Sequence, residues 1–291
     1  MAPELPAYRE RAARAGAALR ALDVTAPLVL AKRTSNLFRD RQQGPKRRLD
    51  LHEFDHVLAV DPRAGWVDAE GLVSYEALVA ATLPQGVMPQ VVPQLKTITV
   101  GGAVVGVGIE ASSFRHGLVH DTLLEADVLL PSGEVVTCTP DNAHRELFLA
   151  LPNSYGTLGY TLRLRLRTQP VKPFVEVRHR RFTAPRAFLE ALAEACDGDA
   201  DFVDGVVFAR DELVLSVARF VDAAPQCSDY TFEHIYYRSL REKALDHLSA
   251  HDYLWRWTPT GSGARRTCTR STRWCAGCSA AGGSTRAPTR G

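Results

Sequence analysis

Apolar and polar positions divide the first 257 residues into alternating and helically spaced stretches. Residues 3–22 are rich in Ala, Arg, Glu and Leu, with Leu19 and Leu22 on one side, and predict a helix. Residues 27–31 form an apolar run that predicts a buried strand, and a polar loop, Lys32-Arg-Thr-Ser-Asn36, follows it. The basic cluster Arg39, Arg41, Lys46, Arg47 and Arg48 surrounds Gly44-Pro45, and reads either as a solvated loop or as a phosphate or partner contact. Strands are expected at 56–61 and 66–70 across a turn at 62–65. Ser74 is placed to cap a helix over 75–82 that Pro84 and Gly86 terminate.

Further on, 123–130 and 134–138 predict a hairpin across Pro131-Ser-Gly133, 143–151 a short helix, and 160–167 an alternating strand. Pro170 and Pro173 mark a boundary. Beyond it come a strand at 174–182, a helix at 187–196, strands at 202–209 and 212–220, and a helix from about Ser239 to Leu248. Strands and helices interleave irregularly, so the expected class is α+β and not a doubly wound parallel sheet.

Composition changes this picture at one place. From Thr258 to Gly291 there is no Leu, Ile, Val, Phe, Asp, Glu or Lys, so the stretch can neither bury a core nor balance its six arginines. The whole chain carries 35 basic and 33 acidic residues; without those six arginines, residues 1–257 have a net charge of −4. The basic balance therefore belongs to the tail, and no nucleic-acid partner is inferred from it. Cys268, Cys275 and Cys278 lack the fourth ligand that a zinc site needs. No apolar run is long enough to span a membrane, and six cysteines in 291 residues do not make a disulfide scaffold. The expectation is a soluble, cytoplasmic protein without an integral membrane segment; its oligomeric state is not legible.

Three segments combine small residues with backbone amides between strands: 32–36, 99–113 and 152–159. Glycines allow a backbone to approach a ligand closely, and successive N–H groups attract phosphate oxygens. The hydroxyls of Thr34, Ser35, Ser112 and Ser113 add donors, and Lys32 or Arg33 would offset pyrophosphate charge. On spacing alone the glycines are equally readable as turns and tight packing sites, because neither a Rossmann fingerprint nor a P-loop is present. His116 and His120 are four apart, but Gly117 argues against a metal-binding helix, and no metal is expected. The spacing of Glu110, Glu125 and Asp127 fixes no shared face, and they read as solvated or capping carboxylates. Cys138, Cys196 and Cys227 read as buried thiols, and Trp255-Arg-Trp257 as core.

In order, however, these segments have a family likeness. Thr97-Ile-Thr-Val-Gly-Gly-Ala103, Gly108-Ile-Glu-Ala-Ser-Ser113 and His116-Gly117 resemble the second flavin-binding loop of the vanillyl-alcohol-oxidase, or PCMH-type, FAD proteins. Leu147-Phe-Leu-Ala150 and Asn153-Ser-Tyr-Gly-Thr-Leu-Gly159 resemble the segment that follows in that family. Within it, Lys32-Arg-Thr-Ser-Asn-Leu-Phe-Arg39, Pro93-Gln-Leu-Lys-Thr-Ile-Thr99 and Pro152-Asn-Ser-Tyr-Gly-Thr-Leu-Gly-Tyr160 are similar to the delta-24 sterol reductase branch.

After the N-terminal helix (1–19), the resemblance implies a two-subdomain FAD-binding module (20–170) and the start of an α+β cap or substrate domain (171–257). It implies cofactor contacts from Lys32, Thr34, Ser35 and Asn36, from Thr99, Gly101, Gly102, Gly108, Ser112, Ser113 and Gly117, and from Gly156 and Gly159. The first loop has no histidine, so FAD is expected to be non-covalent. The implied reaction is NAD(P)H-dependent reduction of a lipophilic, sterol-like alkene through the flavin. The alternatives are an FAD-linked alcohol or sugar oxidase, or a non-catalytic FAD-binding fragment. No catalytic acid is assigned.

The branch continues the phrase Tyr253-Leu-Trp-Arg-Trp257 with Asp-Thr-Asp-Trp-Phe-Trp-Cys-Ser-Arg. Loss of one base from GC-rich codons for that continuation yields Thr-Pro-Thr-Gly-Ser-Gly-Ala-Arg, the string at Thr258–Arg265. Residues 258–291 are therefore expected to be a frameshifted tail that replaces most of a cap domain. The neighbouring reading frame of the gene after codon 257 should then encode Asp-Thr-Asp-Trp-Phe-Trp and remain open. Early stop codons in that frame would overturn this reading.

Overall fold

The computed structural model describes residues 4–22, 28–31, 47–231 and 234–258. Helix α1 (Glu4–Arg20) precedes β1 (Leu28–Ala31) and β2 (Arg47–Asp50), which pair in parallel. Next come β3 (Val57–Asp61), β4 (Trp66–Glu70), α2 (Tyr75–Thr82), β5 (Val87–Pro89), α3 (Val100–Gly106) and α4 (Ser113–His116). They are followed by β6 (Leu123–Leu129), β7 (Val135–Cys138), α5 (Arg145–Ala150) and β8 (Tyr160–Pro170). The remainder is β9 (Phe174–Phe182), α6 (Pro185–Asp197), β10 (Phe202–Ala209), β11 (Glu212–Val221), α7 (Tyr236–Ser239), β12 (Leu245–Ser249) and α8 (Ala250–Leu254).

Besides the parallel β1–β2 pair, the described elements form two antiparallel sheets. One runs β3-β4-β8-β6-β7, with β5 paired to the far end of β8; the other runs β10-β11-β9-β12. This mixed arrangement is the α+β class that the pattern predicts. Local chemistry accounts for the boundaries of α2. Ser74 Oγ accepts from Ala77 N (3.2 Å), and a 3-10 turn at Leu83–Gln85 ends at Gly86 with φ +76°.

Alternation along β4, β8 and β6 gives the first sheet two unlike faces. Val67, Ala69, Leu164, Leu166 and Ala126 lie in the main core. Their neighbours in sequence, Asp68, Glu70, Arg163, Arg165, Glu125 and Asp127, stand opposite one another in register on the other face. Arg163 Nε donates to Asp127 Oδ2 (2.9 Å), its Nη1 to Asp68 Oδ1 (3.1 Å), and its Nη2 to Glu125. Arg165 makes a two-pronged contact with Asp68 at 3.0 and 2.7 Å, and stacks over Trp66 at 4.3 Å.

Helix α1 covers this charged face. Tyr8 Oη donates to Asp127 Oδ2 (2.7 Å), and Arg11 pairs with Glu70 (2.6 Å). The helix approaches the β6–β7 turn so closely that a Cβ on Gly16 would overlap Gly133 O, to which Arg20 Nη1 also donates (2.7 Å). Burial alone would raise the Asp127 carboxyl, but hydrogen bonds and charge from Arg163, with Tyr8 and Thr137, hold it below its usual range.

Several expectations are corrected. Residues 239–248 are not a helix: β12 pairs antiparallel with β9, burying Asp246 and Leu248 and leaving Leu245 exposed. Helix-forming composition there yields to pairing with a sheet edge. Arg47 and Arg48 belong to β2, not to a loop, and the strand beginning at Tyr160 continues to Pro170 because β5 extends its ladder. Glu125 and Asp127 do share a face, whereas Glu110 lies elsewhere. Cys138 is buried and its thiol is pushed up to about 11 by that burial, while Cys196 and Cys227 are only half-buried. The loop 32–36 and the tail from 259 onward fall outside the described residues.

Arg163 lies among three carboxylates with little access to water, so replacing it leaves buried charge without a partner. Arg163→Met is expected to destabilise the protein by about 3–5 kcal/mol in urea denaturation. A loss below about 1 kcal/mol would show that the carboxylates find water or other partners instead.

Candidate cofactor site

The segment from Thr99 to Gly117 begins as a tightly knitted turn. Thr99 caps α3, its Oγ1 accepting from Gly102 N (3.2 Å). Val100 N donates to Val73 O (2.8 Å) and Gly101 N to Gly71 O (2.9 Å), so these amides are engaged by the loop after β4. A Cβ on Gly101 would lie 2.5 Å from Thr161 Oγ1 and 2.8 Å from Gly71 O; this glycine is required by packing. Gly102 is exposed, and a Cβ there would crowd only the Thr99 hydroxyl. Gly108 is again a packing glycine, against Val119, Ala103 and Pro93.

Between Gly106 and Gly108, Val107 has φ +67°. A β-branched side chain rarely adopts that region, and such strain persists only where the surroundings impose it. Ile109 follows at 66% exposure, the most exposed large apolar side chain among the described residues. Ser112 Oγ then donates to Gln90 O (2.7 Å), and Ser113 Oγ accepts from Glu110 N (3.1 Å). Gly117, at φ +73°, makes room for the Asp121 carboxylate, which accepts from Leu118 N (2.7 Å).

The segment at 152–159 packs beside α3. Tyr155 N donates to Val105 O (2.9 Å), and the Tyr155 ring is the nearest neighbour of Gly106. Asn153, Tyr155 and Gly156 all have positive φ, at +59°, +52° and +81°. Gly159 lets the chain enter β8 against Leu129 O, where a Cβ would stand 2.6 Å away. Thus 99–109 and 152–159 meet along one seam with Val107, Tyr155 and Leu158 exposed along it. Ser154 Oγ is enclosed in the same segment without a hydrogen-bond partner among the described residues. Backbone turns and exposed apolar side chains fit a flat ligand with polar edges, as a flavin nucleotide is. Ser112, Ser113 and Gly117 lie further along, towards the second sheet.

That far end is tied down. Val203 N donates to Ala111 O (2.9 Å), Arg115 Nη2 to Ala200 O (2.8 Å), and His116 Nε2 pairs with Gln169 Oε1 (2.9 Å). Glu110 Oε1 accepts from Arg256 Nη2 (3.2 Å). Burial raises the Glu110 carboxyl, with Arg256 opposing and Asp204 reinforcing that shift. Three features escape a reading of the sequence: positive φ at Val107 and Tyr155, and the contact of Glu110 with Arg256. The only sequence signal for the first two is their glycine neighbours, and the third joins residues far apart in the chain.

The two adjacent glycines should separate by experiment. In Gly102→Ala, a disturbed cap costing about 1 kcal/mol is offset by about 1 kcal/mol of helix propensity. Gly101→Ala meets backbone, and should be less stable than Gly102→Ala by at least about 2 kcal/mol in thermal or urea unfolding. Equal stabilities would mean that the packing around Gly101 yields.

Residues 16–139 match the family model of the FAD binding domain. A delta(24)-sterol reductase of Arabidopsis thaliana is 33% identical over 192 residues, covering 62% of this chain and 34% of that protein. The human delta(24)-sterol reductase is 30% identical over 218 residues, covering 69% of this chain and 41% of its own length. Cytokinin dehydrogenase 10 of Oryza sativa subsp. japonica is 33% identical over 119 residues, 41% of this chain and 22% of that one. The chain thus spans about a third of the length of the first of these relatives. Residues 16–139 thus match an FAD binding domain, in a chain similar to delta(24)-sterol reductases.

Proposed function

We propose that the protein is an FAD-dependent oxidoreductase that uses NAD(P)H to reduce the alkene of a lipophilic, sterol-like molecule. The observation that carries this reading is the seam between 99–109 and 152–159 within and beside a matched FAD binding domain. On this reading residues 20–170 are the cofactor module and 171–257 begin a cap over it. FAD, when bound, supplies hydride transfer, and the protein supplies position and exclusion of water.

The residues divide that work. Lys32, Thr34, Ser35 and Asn36 would contact pyrophosphate, the lysine offsetting its charge. Gly102, exposed at the start of α3, leaves space for close approach, while Gly101 and Gly108 hold the segment to the sheet. Ile109 and Tyr155 offer apolar surface to a ring. Gly156 and Gly159 set the course of the backbone beside it. Without a histidine in 32–36, FAD would be held non-covalently. Reduction of an alkene adds one hydride and one proton, with NAD(P)H oxidised to NAD(P)⁺.

Purified protein should be yellow, or become yellow on addition of FAD, and acid treatment should release the flavin. Anaerobic NADPH should then bleach the visible band. Bleaching by a polyol but not by NADPH would replace the reductase reading with an oxidase. A colourless protein that takes up no FAD would remove both.

A further inference from the structure

The segment after β12 crosses between the two sheets. Tyr253 and Trp255 are buried in the same core as Phe202 and Val177, and Thr258 Oγ1 donates to Gln94 O (2.8 Å), just ahead of the cofactor segment. Between these anchors Arg256 is 2% exposed. Its Nη1 donates to Tyr253 O (2.9 Å), and its Nη2 is shared by Glu110 (3.2 Å) and the Asp204 carboxylate of β10. The guanidinium stands 4.0 Å from the centre of the Tyr253 ring, with Tyr236 and Trp257 each 5.7 Å away. A cation so enclosed is held by its two carboxylates and its aromatic cage.

Glu110 is not a neutral place for such a contact. Its backbone N–H donates to Ser113 Oγ (3.1 Å), and its carbonyl accepts from Ser113 N (2.8 Å). Movement of Glu110 therefore carries Ser112 and Ser113 with it. Three residues earlier sits Val107 in its unfavourable conformation, which needs its flanks held. On its N-terminal side Val107 is fixed by its own N–H on Ala103 O at the end of α3. On its C-terminal side Gly108 is bonded to Ala103 O and Val119 N (2.9 and 3.0 Å), and Glu110 on Arg256 is the next fixed point.

We propose that Arg256 is a positioning residue for the cofactor segment, holding Glu110, and with it the backbone of 107–113, in the form that receives FAD. The proposal rests on the reading that this segment binds FAD. It gives a side chain 146 residues away in sequence control over the flavin loop.

The test is FAD affinity by quenching of flavin fluorescence, under conditions where circular dichroism shows each apoprotein folded. Arg256→Met should weaken FAD binding at least about tenfold, as expected for loss of one partner of a buried charge pair. Arg256→Lys should recover part of the loss, and should restore the visible circular dichroism of the bound flavin. If Arg256→Met does not fold, Glu110→Ala removes the same link while leaving Arg256 on Asp204, and should also weaken FAD binding about tenfold. Leu248→Ala, a cavity in the same core, should lower the melting temperature without this loss of affinity. Wild-type affinity in folded Arg256→Met or in Glu110→Ala overturns the proposal, as does an equal loss in Leu248→Ala. Failure of the wild-type protein to bind FAD would instead overturn the proposed function.

Discussion

The meeting of Arg163 and Arg165 with carboxylates from β4 and β6 is the constraint on which the rest of the first sheet depends. Residues of opposite charge face each other across three strands while Val67, Ala69, Leu164 and Leu166 fill the opposite face. A slip of one residue along β8 would drive two guanidinium groups into the apolar core and turn its leucines towards the charges. Both faces thus demand the same register. That register sets Thr161 beside Gly71 and Gly101, and Gly159 beside Leu129. The position of α3 and the turn at 152–158 follows, so the seam is located by electrostatics on the far side of the sheet.

Where local chemistry decides, the sequence is a good guide. Ser74, Pro84 and Gly86 bracket α2 in the order that predicts it, and the alternation from Tyr160 announces a two-faced strand. The family phrases single out 99–117 and 152–159, two segments that pack together in the fold, before any coordinates are known. Where partners from elsewhere decide, the pattern misleads. Residues 239–248 have helix-forming composition, yet the strand within them exists because β9 offers an unpaired edge. β2 looks like a basic loop until Leu49 is seen buried beneath α1. The carboxylates around Arg163 have no spacing that reveals them, since they converge only when three strands pair.

The glycines of the candidate cofactor segment illustrate a finer limit. Gly101, Gly102 and Gly108 read alike, as places where a backbone meets a ligand or another backbone. The structure separates them: Gly101 and Gly108 press against the protein, while Gly102 is open. A glycine in a motif marks close approach without saying what approaches.

The bond from Val203 N to Ala111 O also has a meaning for solubility. β10 is an outer strand of the second sheet, and β12, on the other side, receives a bond at His247 O from Ser228 N (2.8 Å). Each edge therefore carries a stretch of irregular chain against part of its row of backbone groups. An uncovered strand with side chains such as Val207 outward would invite pairing with another molecule. Where Ala111 bonds Val203 the loop covers part of the β10 edge, and a change that lifts it from the sheet would expose backbone groups to strand addition.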